Sequence, residues 1–116
     1  MTMQYMLLIY QKEAQAADLD KDAMGKVYQE YQALTEDLKK RGQLVSNHGL
    51  KPTSMATTIK VRDGKTLTTD GPFVETREQL GGYFVVEAAD LDEAIGIAER
   101  IPSARWGTVE IRPVWA

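Results

Sequence analysis

The chain predicts an α+β domain in the order β-α-β, hairpin, β-α-β, with two helices on one face of an antiparallel sheet. The first observation behind it is a pair of segments, residues 24–38 and 91–101, whose apolar residues recur at helical spacing. The second is Asp63-Gly64, a two-residue hairpin signal between two short stretches of β propensity. The third is a set of strand-like segments flanking each helix, including residues 3–10 and 83–87. Such an order is ferredoxin-like, with an extra hairpin. At 116 residues the chain is expected to form a single domain, residues 1–116.

In residues 3–10 both alternating sets are apolar: Met3, Tyr5, Leu7 and Ile9 on one, Met6, Leu8 and Tyr10 on the other. A strand of that kind is covered on both faces. Residues 11–17 read as a linker. Asp20 is placed to cap a helix whose stripe is Met24, Val27, Tyr28, Tyr31, Leu34 and Leu38, with Gly42 as its C-terminal stop. Residues 43–46 read as a short strand and Asn47-His48-Gly49 as a turn. Thr57–Arg62 and residues 65–69 form the hairpin around Asp63-Gly64, and Tyr83 opens the next strand. Asp90 caps the second helix, with Leu91, Ala94, Ile95, Ala98 and Ile101 as its expected buried stripe and Pro102 as its end. Gly96 lies inside that helix without an evident reason. Residues 108–115 close the chain as a strand.

Composition narrows the function classes. The net charge of −3 and the absence of a clustered basic face argue against a nucleic-acid partner. Lys39-Lys40-Arg41 sits at a helix end, where cations complement the dipole. With no cysteine there is no disulfide, zinc thiolate site or cysteine nucleophile. The apolar N-terminal stretch is too short to span a bilayer and lacks the features of a signal peptide, so the expectation is a cytoplasmic protein without a membrane partner. Two helices cover one sheet face, which leaves apolar residues on the other. A second copy of the same sheet is the expected cover, giving an obligate homodimer.

Residues 70–84 are the most informative stretch, placing a Gly-Pro turn, ionised side chains and Gly81-Gly82 just before an apolar strand. Asp70-Gly71-Pro72-Phe73, together with residues 75–83, 91–94, 100–102 and 109–114, resembles the DGPF branch of the YCII-related proteins over nearly the whole chain. The resemblance implies a dimeric α+β barrel with two sheets facing each other around a cavity. Relatives of that architecture include isomerases, cofactor-free monooxygenases, dye-type peroxidases and plain ligand binders. The resemblance also implies a link to extracytoplasmic-function sigma factors. The wider family's His–Asp pair has no counterpart in the first helix, which carries no histidine.

Candidate chemistry centres on Asp70. A carboxylate held by the turn against an apolar cavity would be desolvated into a general base; the same residue can instead cap the turn by accepting backbone N–H groups. His48 is the one histidine and the second catalytic candidate. Arg77 and Glu75 could orient a polar ligand, and Tyr83 and Tyr5 could donate into a cavity. Gly81-Gly82 is read as a close backbone approach or a bulge. No ligand spacing supports a metal site, and nothing indicates a cofactor. Two readings stay open: a small-molecule binder or enzyme with acid–base chemistry at Asp70, and a non-catalytic regulatory or interaction module.

Overall fold

Alternation in the first strand sets the architecture. A computed structural model describes residues 1–115. It contains β1 (Met3–Gln11), α1 (Glu13–Ala17), α2 (Lys21–Lys40), β2 (Leu44–Gly49), β3 (Thr57–Arg62), β4 (Lys65–Asp70), β5 (Gln79–Ala88), α3 (Leu91–Glu99) and β6 (Thr108–Pro113). Short 3-10 turns lie at Thr53–Met55 and Pro102–Arg105. The main sheet runs β2-β5-β1-β6 with antiparallel neighbours, and β3 pairs with β4 alone. This arrangement is consistent with a ferredoxin-like α+β fold.

Register decides which residues enter the core. Tyr5 pairs with Val86 and Leu7 with Phe84, so these residues share one face with Ile9 and Ala88. Leu34 and Leu38 of α2, then Ala94, Ile97, Ala98 and Ile101, close over that face. Each fully buried aliphatic side chain contributes about 1.5–3 kcal/mol relative to exposure. Met6, Leu8, Tyr83 and Val85 fall on the other face, which the helices do not cover. Alternation within each strand leaves open how the two strands' apolar sets combine, and the register places Tyr83 and Val85 opposite the face of Tyr5 and Leu7.

Other boundaries also move. The expected linker contains α1. Asn47-His48-Gly49 is not a turn but the end of β2, because pairing with β5 overrides its local turn preference. The buried stripe of α3 uses Ile97, whereas Ile95 and Leu91 stay largely exposed. Both expected caps form: Asp20 accepts from Ala23 N–H at 2.7 Å and Asp90 from Glu93 N–H at 2.9 Å. Gly42, at φ 70°, ends α2 in the left-handed region, with Gln43 N–H donating to the Leu38 carbonyl at 2.9 Å.

The β3–β4 hairpin extends away from this core. Asp63 and Gly64 have φ of 52° and 74°, the signs a two-residue type I′ turn needs. Ile59, Val61 and Leu67 on it are exposed. The radius of gyration is 16.1 Å, against about 13 Å for a compact chain of this length. No helix among the described residues is long and apolar enough to cross a membrane.

Candidate ligand cavity

The first half of α2 does not reach the sheet. Met24 and Tyr28 continue the apolar stripe of Leu34 and Leu38 yet are more than half exposed. Between this half-helix, α1 and the sheet lies a cavity of about 580 Å³. Ile9, Phe84 and the Gly81-Gly82 pair line it from the sheet, Leu19, Met24, Val27 and Tyr28 from the helical side. Trp106 and Ser103 close it from the 3-10 segment before β6.

The glycines keep this end of the sheet narrow. Tyr10 pairs with Leu80 and Ile9 with Gly82, so Gly81 is the extra residue of a bulge. A Cβ on Gly82 would lie 2.8 Å from the His48 carbonyl oxygen. A Cβ on Gly107 would overlap the Tyr10 carbonyl oxygen. Both the bulge and the close approach anticipated for Gly81-Gly82 are present.

Polar side chains reach the cavity in hydrogen-bonded pairs. Tyr31 Oη and Ser103 Oγ are 2.6 Å apart. Asn47 Nδ2 donates to Thr35 Oγ1 at 3.1 Å, and Trp106 Nε1 to Gln11 Oε1 at 3.0 Å. Burial pushes the Tyr31 phenol above its ordinary range, more than the Ser103 bond lowers it. The phenol therefore stays protonated at neutral pH. The walls are tied from outside by a bidentate pair from Arg105 to Glu30 at 2.7 and 3.0 Å, whose hydrogen bond holds the Glu30 carboxyl below its usual range.

The residues singled out in the sequence separate. His48 and Tyr83 border the cavity along their strands, but by register they share the opposite sheet face, where they meet each other, Nδ1 to phenol oxygen at 3.0 Å. Tyr5 is buried in the core, its hydroxyl directed to Met3 Sδ at 3.9 Å. Asp70, Glu75 and Arg77 are exposed and do not line the cavity. Asp70 ends β4, and its carboxylate accepts no hydrogen bond among the described residues. The turn is held instead by Gly71 N–H on the Ala56 carbonyl at 2.7 Å and Thr58 Oγ1 on the Gly71 carbonyl at 2.8 Å. Gly71 has φ 103°, which favours glycine.

The sequence pattern places Tyr31 on the apolar stripe of its helix and marks none of Gln11, Thr35, Asn47, Ser103 or Trp106 as a site residue. The available signal was the polar residues bordering the aromatic part of the α2 stripe, opposite a glycine pair.

The model of the YCII-related domain matches residues 3–116. The chain belongs to the YCII-related family. An uncharacterized protein, R00369, of Rhizobium meliloti (strain 1021) is 33% identical over 114 residues, covering 97% of this chain and 92% of that protein. The similarity between this YCII-related chain and that relative spans nearly the whole of both proteins.

Proposed function

We propose that the protein binds a small molecule in the cavity between the first half of α2 and the sheet. The cavity itself carries the reading. Its volume of about 580 Å³ lies within the roughly 300–1,000 Å³ of ligand sites. Its lining joins aromatic and apolar walls to a few fixed polar groups, the usual composition of such a site. The expected cavity lay between two sheets with Asp70 at its mouth; this one lies on the helix side of a single sheet, away from Asp70.

The binding form is a homodimer of the DGPF type. Met6, Leu8, Tyr83 and the nearly buried Val85 share the sheet face that α2 and α3 do not cover. Covering it with a second copy buries on the order of 2,000 Å² in a stable interface. Light scattering of Leu8→Lys should report a monomer and the wild type a dimer; a monomeric wild type contradicts the pairing.

Val27→Trp tests the cavity. A screen of small aromatic alcohols and amides by thermal shift should raise the melting temperature of the wild type. The indole added at position 27 should abolish those shifts while the far-ultraviolet circular dichroism stays native. Shifts of equal size in Val27→Trp would place binding elsewhere.

A further inference from the structure

Apart from the Glu36–Lys39 pair and His48, which pairs with Tyr83 on the opposite sheet face, the polar residues lining the cavity are uncharged. Tyr31, Thr35, Asn47, Gln11 and Ser103 present hydroxyls and amides. The charged lining residues Glu36 and Lys39 sit 3.9 Å from each other with side chains 68% and 59% exposed, so their charges are mutually offset and hydrated. An anion carried inside would lose its water and gain no buried cation.

The Tyr31–Ser103 pair leaves bonding capacity unused. Two hydroxyls hold two protons, and the bond between them uses one. Thr35 does not absorb the remainder: its Oγ1 donates to the Tyr31 carbonyl at 2.9 Å and accepts from Asn47. Ser103 is 2% exposed, so its spare donor or acceptor faces little bulk water. Around this pair stand the rings of Tyr28, Phe84 and Trp106 and the thioether of Met24. Aromatic rings and methionine sulfur favour flat aromatic partners.

Resting on the cavity reading above, we propose that the ligand is an uncharged, largely aromatic molecule bearing a hydroxyl or carbonyl oxygen, and that the Tyr31–Ser103 hydroxyl pair receives that oxygen. Thr35 and Asn47 brace the helix side of the pair, and Tyr31 serves as a hydrogen-bond donor, not a base.

The test is a fluorescence titration of the full chain with 2-naphthol, 2-naphthoate and 2-methylnaphthalene, equal ring systems differing in one substituent. The wild type should bind 2-naphthol at least about tenfold tighter than the anion, since one unpaired buried charge exceeds the cost of a tenfold step. Tyr31→Phe and Ser103→Ala should each weaken 2-naphthol about fivefold, the scale of one net hydrogen bond. Binding of 2-methylnaphthalene should stay unchanged. The wild-type ranking needs no variant, so it decides the charge preference even where a substitution impairs folding. Naphthoate binding as tightly as naphthol overturns the proposal, as does a loss in Tyr31→Phe shared equally by 2-methylnaphthalene. Either result leaves the cavity reading standing if Val27→Trp still blocks binding. Failure of every probe to bind overturns both.

Discussion

One helix carries two fates for the same pattern. Leu34 and Leu38 in the second half of α2 are 3% and 0% exposed, whereas Met24 and Tyr28 in the first half are 54% and 63% exposed. The spacing is continuous across both halves, so hydrophobic periodicity identifies a face but not what fills the space beside it. The second half meets Ile97, Ala98 and Phe84 in a closed core. The first half stands across the cavity from the bulged, glycine-bearing end of β5.

That contrast breaks most sharply under truncation. Leu38→Ala should cost about 2–5 kcal/mol, the range for emptying a packed core position. Met24→Ala should cost below about 1 kcal/mol, as for a surface change. Urea unfolding of both variants gives the comparison, and equal losses would erase the distinction between the halves.

Glycines sharpen it next. Gly82→Ala should destabilise by about 1–3 kcal/mol, since its Cβ meets fixed backbone at the floor of the cavity. Gly96→Ala in α3 should gain up to about 1 kcal/mol, because nothing stands within 4 Å of an added Cβ there. A neutral Gly82→Ala would mean that β2 yields easily at this end.

Tyr31→Phe comes third, at about 1 kcal/mol of stability for the lost bond to Ser103, read by thermal unfolding. The stacking of Tyr31 on Phe84, with centroids 6.3 Å apart, is retained by the substitution. A loss as large as that of Leu38→Ala would show that the cavity wall is part of the core after all.

The smallest effect is electrostatic. Arg100 first, then Arg41, holds the Asp37 carboxyl below its ordinary value of 3.8, and Arg105 holds Glu30 below 4.5. Both folded values lie under the unfolded ones, so the stabilising contribution is complete above those ordinary values and is lost as pH falls through the folded ones. Between about pH 5 and pH 3 the wild type should therefore lose more melting temperature than the Glu30→Gln/Asp37→Asn double variant. Parallel acid curves would deny these ion pairs any role in fixing α2.

Local chemistry made much of this fold legible. Asp20, Asp90, Gly42 and Asp63-Gly64 act through their own backbone neighbourhoods, and each marks the boundary it predicts. Long-range pairing was harder to read. Asn-His-Gly has turn preferences, yet β5 draws it into β2 and sets His48 beside Tyr83. Ile95 and Ile97 both fit a helical stripe in isolation, and the sheet beneath selects Ile97. The site was less legible than the fold, because residues 9–11, 31–35, 47 and 103–106 converge only after the β1–β5 register is fixed. Asp70 stood out through its turn chemistry, which the structure assigns to Gly71 and Thr58.

The most direct measurement is a methyl-detected NMR titration of the full chain with 2-naphthol. Binding in the α2 cavity should shift the methyls of Met24 and Val27 and the indole N–H of Trp106, while the methyls of Leu38 and of Met6 and Leu8 on the opposite sheet face stay fixed. Shifts confined to Met6 and Leu8, or no shifts at Met24 and Val27 at saturating naphthol, would contradict a ligand site beneath the first half of α2.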